Sequence, residues 1–155
     1  LALELSVRLP ELGQTILNTE AVRLSNPDRQ REFAFLSPSV SPLQSVRDSL
    51  FRSLLIAENR RIEPWASRAL YYLNHPLRAS ESVGYIRPAL EILPDIQHTG
   101  DIFFPSDWCK NLLAGHRSKE AYNEVLNFLE SHPDMLSLLR NKILVPFYYL
   151  SRLNQ

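Results

Sequence analysis

Cysteine occurs once in this chain and glycine four times. With Cys109 alone, no intrachain disulfide and no cysteine-based zinc site can form. It stands beside Trp108 and near Leu112 at helical spacing, with no histidine adjacent in sequence, and so reads as a buried structural thiol. No Asn-Gly or Asp-Gly pair marks a tight two-residue hairpin. No apolar run approaches the ~18 residues that cross a bilayer, so no membrane span is expected. Lys plus Arg and Asp plus Glu are both 17, a net charge of zero. That balance gives no electrostatic reason to expect nucleic acid or an anionic membrane as the main partner.

Catalytic signatures are also missing. The four histidines, His75, His98, His116 and His132, form no H-E-x-x-H helix. His116 and Glu120 are four apart, but Gly115 and Ser118 put a turn there, and the pair reads as a surface pair. Zinc catalysis needs three protein ligands and an open position, and no spacing supplies them. There is no G-x-S-x-G elbow, and neither a G-x-x-x-x-G-K-[ST] nor a G-x-G-x-x-G loop to cradle phosphates. A self-sufficient hydrolase would have to gather its groups from distant parts of the chain.

What is present is a globular composition, 45% apolar and 22% charged, in one domain of ordinary size spanning residues 1–155. The start, LALELSVRLPELGQ, has no basic stretch followed by an apolar one, unlike a signal peptide. Its alternating leucines fit a strand, and equally a helix that ends at Pro10. The missing Met is read as the mark of a truncated piece, so a fragment of a longer protein is expected.

From there the chain reads as helix after helix. Ser41-Pro42 is expected to open a helix with Leu43, Val46, Leu50, Leu54 and Ala57 on its apolar stripe, and Arg47, Asp48, Arg52 and Glu58 on other faces. Glu63-Pro64-Trp65 opens a second helix, with Ala66, Ala69, Leu70 and Leu73 on one side, stopping at Asn74-His75-Pro76. Pro88 and Pro94 break residues 80–97 into two short helices or one kinked helix. Gly100 marks a turn, and Pro105-Ser106-Asp107 opens a short helix ending near Gly115. Ser118 caps KEAYNEVLNFLE, with Ala121, Tyr122, Val125, Leu126 and Leu129 as the buried face. Pro133-Asp134 starts the last helix, bearing Leu138, Leu139, Ile143, Leu144, Phe147 and Leu150, with Pro146 bending it. The expected class is all-α. Short connections suggest antiparallel helix pairs in an α-solenoid, HEAT-like arrangement, although no internal repeat stands out.

Two dense segments break the pattern: residues 58–65 continuing to Asn74-His75-Pro76-Leu77-Arg78, and residues 96–105 followed by Asp107-Trp108. Each mixes arginine, acids and aromatics at helix junctions. Structurally, arginines there satisfy helix-end carbonyls, with Trp65 and Trp108 as core anchors. Functionally, the same residues are a polar lining for a cavity that holds peptide.

Three strings, SNPDRQREFAFLSPSVS (25–41), NRRIEPWASRALYYLNHPLR (59–78) and IQHTGDIFFPSDW (96–108), resemble the C-terminal helical region of bacterial M1-family zinc aminopeptidases, in the same order. FLESHPDMLSLLRNKILVPFYYLSRL resembles the terminal helices of that region. The likeness covers the chain from about residue 20 onward, and none of its strings is a catalytic signature. It implies the C-terminal domain of a larger metallopeptidase, a solenoid that packs over the catalytic domain and limits which peptides enter. Zinc and its ligands belong to that upstream domain, with no cofactor in this piece. The partners implied are the upstream domain and peptide substrate. Arg60, Arg61, His75, Arg78, His98 and Asp101 are the candidate cavity-facing residues, an arginine among them meeting a substrate carboxylate. The competing expectation is an independent α-solenoid interaction module with exposed aromatics. Peptide preference, compartment and oligomeric state are not legible.

Overall fold

A computed structural model of the chain describes residues 1–154. Every element is helical, and no strand occurs among the described residues. Ten α-helices follow in order: α1 Ala2–Arg8, α2 Gly13–Arg23, α3 Pro27–Leu36, α4 Gln44–Leu54, α5 Glu63–Leu73, α6 Ile86–Glu91, α7 Leu93–Thr99, α8 Phe104–Leu113, α9 Lys119–Ser131 and α10 Ser137–Arg152. Short 3-10 helices fill the joints at Ser37–Val40, Ala57–Arg60, Pro76–Glu81 and Val83–Tyr85.

Several starts follow their local chemistry. Asn26 accepts from the backbone N–H groups of Asp28 and Arg29, and Pro27 fills the first helical position of α3. The Ser118 hydroxyl accepts from Ala121 N at the head of α9. Asp101 Oδ1 accepts from Phe103 N and Phe104 N (2.6 and 2.9 Å), which caps the entry to α8.

Of the strand and helix that the opening residues both allowed, the structure shows the helix, with Leu3, Ser6 and Val7 inward. Four sequence expectations are corrected. α4 begins at Gln44 instead of Ser41-Pro42, because the Ser41 hydroxyl instead closes a turn by accepting from Leu43 N. Its buried face is Arg47, Phe51 and Leu54, while Leu43 is exposed. Arg47 turns inward because its guanidinium donates to Ser41 O (2.6 Å) and reaches Gln44 and Glu81. α10 starts at Ser137, several residues after the Pro133-Asp134 expected to open it, and Pro146 lies inside it. His116 is buried rather than at the surface.

One continuous apolar cluster runs from Leu3 in α1 to Leu150 in α10. Packing advances along the chain. α1 lies on α2 and on the 37–40 turn, which meets α4 and α5; α5 lies on α3 and α8, and α8 on α10. Ala66 and Ala69 on α5 are fully buried, and their small side chains let neighbouring backbones approach closely. Trp108 is fully buried on α8, where its indole N–H donates to Ala89 O of α6 at 3.0 Å. Burial alone pushes the neighbouring Cys109 thiol up to about 12, with Lys142 opposing weakly, so it stays protonated. No helix among the described residues is long and apolar enough to cross a membrane.

Candidate functional site

The two dense segments meet at the N-terminus of α5. A cleft of about 290 Å3 lies there, lined by Glu58, Arg60, Arg61, Glu63, Thr99 and Gly100 among others. Its floor is built by main-chain chemistry. Arg60 is buried, and its Nη1 donates to Leu54 O and Leu55 O (3.2 and 2.9 Å), the carbonyls that α4 leaves unpaired at its end. Its Nη2 pairs with the half-exposed Asp95 carboxylate of α7. The Arg60 Nε, by contrast, is buried without an acceptor. The opposite wall is tied by Glu63, whose Oε1 accepts from Asp101 N at 2.9 Å. Gly100 is required at this junction, since a Cβ there would press on the Phe104 ring, Ile96 O and Glu63 Oε1.

The six sequence candidates divide between the two ends of α5. Arg60 and Arg61 line the cleft, and Asp101 is bonded to its wall. Arg61 and His98 are exposed. His75 and Arg78 lie beyond the other end. Eleven residues of α5 at 1.5 Å each separate the two groups by roughly 16 Å. Arg78 is buried with its Nη1 donating to Val40 O and Ser41 O (2.9 and 3.0 Å) and its Nη2 to Ser6 O (3.4 Å). Burial pulls its guanidinium below the ordinary value, with Arg47 adding to the effect and Glu81 opposing it. His75 Nδ1 accepts from Leu77 N, capping the 3-10 turn, and its Nε2 faces Glu4 Oε1 at 3.4 Å. The donors of Arg60, Arg78 and Arg47 are thus largely committed to holding segment ends together.

A buried polar pair, not marked by the sequence, joins α5 to α8. Asn74 Nδ2 donates to Leu70 O, which turns Oδ1 toward His116 Nε2 at 2.9 Å. The bond fixes the tautomer, with the proton on Nε2. Burial pulls the imidazole down to about 4, so the ring is neutral at pH 7. Gly115 makes this contact possible, because a Cβ there would run into the Asn74 carbonyl.

A larger concavity lies elsewhere, between α8 and α10. It is about 740 Å3 and mostly apolar, with Leu138, Val145, Pro146 and Tyr149 of α10 on one wall and Leu113 of α8 on the other. α10 carries two apolar stripes. Leu139, Ile143, Phe147 and Leu150 face the core, while Leu138, Val145 and Tyr149 stand open (63%, 67% and 71% exposed). A second apolar groove of about 500 Å3 runs between α2, α3 and the start of α4. No three His, Cys, Asp or Glu side chains converge to hold a metal ion among the described residues. The chain matches no family model, no curated protein and no solved structure.

Proposed function

We propose that this chain is the non-catalytic helical domain that covers the catalytic domain of an M1-family zinc aminopeptidase, shaping the cavity through which peptides reach the metal. The observation that carries the reading is the convergence of two of the resembling strings. Residues 59–65 and 96–104, far apart in sequence, meet around one polar cleft through Glu63–Asp101, with Arg60 held by Asp95 just ahead of the second string. In this reading the helices stack as an α-solenoid of antiparallel pairs. The advance of packing from α1–α2 through α5 and α8 to α10 supports that arrangement. Arg61, exposed and lining the cleft, is the group proposed to face the peptide, with the exposed His98 and Asp101 as the further candidates. Arg60 and Arg78 would hold the wall in shape. Zinc, water activation and the oxyanion contacts would all come from the upstream domain.

The test is the complete reading frame around these residues together with the activity of the protein it encodes. The reading expects an H-E-x-x-H helix and a downstream glutamate ahead of Leu1. It also expects Arg61→Ala to raise KM for peptides several-fold while leaving hydrolysis of a single aminoacyl-coumarin unchanged. A frame that lacks those ligands overturns it. The outer face of α10 exposes Val145, Tyr148 and Tyr149 together, an apolar patch that a docked upstream domain would cover and that also fits the second reading, an independent α-solenoid interaction module.

A further inference from the structure

The groove between α8 and α10 has a chemistry that selects its occupant. Its floor is apolar, and its rim carries Lys110, Arg117 and Lys142 against one acid, Asp107. None of the three cations is ion-paired with a carboxylate among the described residues. Among the described residues Lys142 donates to Ser106 Oγ (3.2 Å) and Ile102 O (3.5 Å). The local excess of positive charge stands out in a chain whose net charge is zero. The outward stripe of Leu138, Val145 and Tyr149 steps by seven and four residues, so it lies along one side of α10.

From this we infer that the α8–α10 groove is a docking site for an amphipathic helix of a partner protein segment, apolar on one face and flanked by glutamate or aspartate. A helix laid in such a groove buries its apolar stripe against Val145 and Tyr149, and its acidic flanks meet Lys110, Lys142 and Arg117. The sixteen residues of α10 give a groove of roughly 24 Å, enough for about four turns of a bound helix. A single helix docked in one groove is a small interface, and the affinity expected is micromolar. A second copy of this chain is disfavoured, because two-fold contact would set Lys142 and its neighbours against their own images. A membrane surface is disfavoured because the apolar residues line a concavity. The inference rests on this surface alone and holds under either reading above.

The test uses the 155-residue protein and two labelled synthetic helices as long as α10. Both carry leucine at helical spacing; one is flanked by glutamate and the other by lysine. Fluorescence anisotropy should give saturable micromolar binding of the glutamate helix and at least about tenfold weaker binding of the lysine helix. Raising NaCl from about 50 to about 500 mM should weaken the first. Val145→Asp should cost at least about tenfold in affinity with an unchanged circular dichroism spectrum, because the side chain is exposed. The double variant Lys110→Glu/Lys142→Glu should reverse the preference between the helices. Equal binding of both, binding of neither, or indifference to Val145→Asp overturns the inference. So does a Val145-dependent dimer in sedimentation, or tighter association with phosphatidylserine vesicles than with the glutamate helix.

Discussion

Acidification should destabilise this fold through one residue. In the unfolded chain the His116 imidazole titrates near 6.5, and in the folded chain its burial holds it at about 4. A proton therefore binds the unfolded state first as pH falls. The stability contributed by the neutral ring is complete above about 6.5 and is lost progressively as pH falls toward about 4. Between pH 8 and pH 5 the loss is about 2 kcal/mol. The perturbation that isolates it is His116→Gln, whose amide N–H can still donate to Asn74 Oδ1 but cannot be protonated. Urea unfolding of both proteins at the two pH values gives four stabilities. The carboxylate titrations common to both cancel in the difference. The wild-type advantage over His116→Gln should shrink by about 2 kcal/mol on going to pH 5. The imidazole itself should resist protonation by NMR until close to pH 4. A wild-type ring that titrates near 6.5, or an identical pH dependence in the two proteins, refutes the reasoning.

Gly115→Ala should destabilise by about 2–3 kcal/mol in urea melts, because the new methyl group meets the Asn74 carbonyl; a neutral substitution would mean that α5 and α8 can part without cost. Arg78→Met should cost about 2–3 kcal/mol, as the Val40 and Ser6 carbonyls lose their charged donor; thermal unfolding measures it, and an unchanged melting temperature would count against the capping role. Cys109 should remain unmodified by a thiol reagent at pH 8 in the folded protein and react fully in urea, since its thiol is buried and protonated; rapid labelling of the native protein would contradict this.

The helices with strong punctuation were legible from sequence. α5, with Pro64 at its head and Pro76 beyond its end, falls where the residues put it, and so does α9 behind Ser118. α1 was ambiguous because a seven-residue helix is too short for a period of 3.6 to be told from a period of 2. α2 was not visible, since it buries only Gly13 and Leu17 and so carries almost no apolar stripe. The start and face of α4 were misread for a related reason. Periodicity sends arginine outward, yet Arg47 goes in to reach a main-chain carbonyl across a joint. The Asn74–His116 pair had no local signal at all, because its members are 42 residues apart.

The same limit governs the candidate site. A chain of short helices joined by 3-10 turns ends many segments in the interior, and each end exposes carbonyls that need donors. Arginine meets that demand best, since one planar fork can serve two or three carbonyls at once. Arg60 and Arg78 do so, and Arg47 serves one carbonyl together with the Gln44 and Glu81 side chains. An arginine that lines a peptide cavity and one that closes a helix end therefore sit in the same kind of sequence, at a junction among acids and aromatics. Burial separates them. Arg60 and Arg78 have little donor capacity left for a ligand, whereas Arg61, one residue from Arg60, keeps its guanidinium in solvent at the cleft mouth. Substituting Arg60 or Arg78 would change stability and binding together. Arg61 is the position where a loss of peptide binding without a loss of stability would carry information about function.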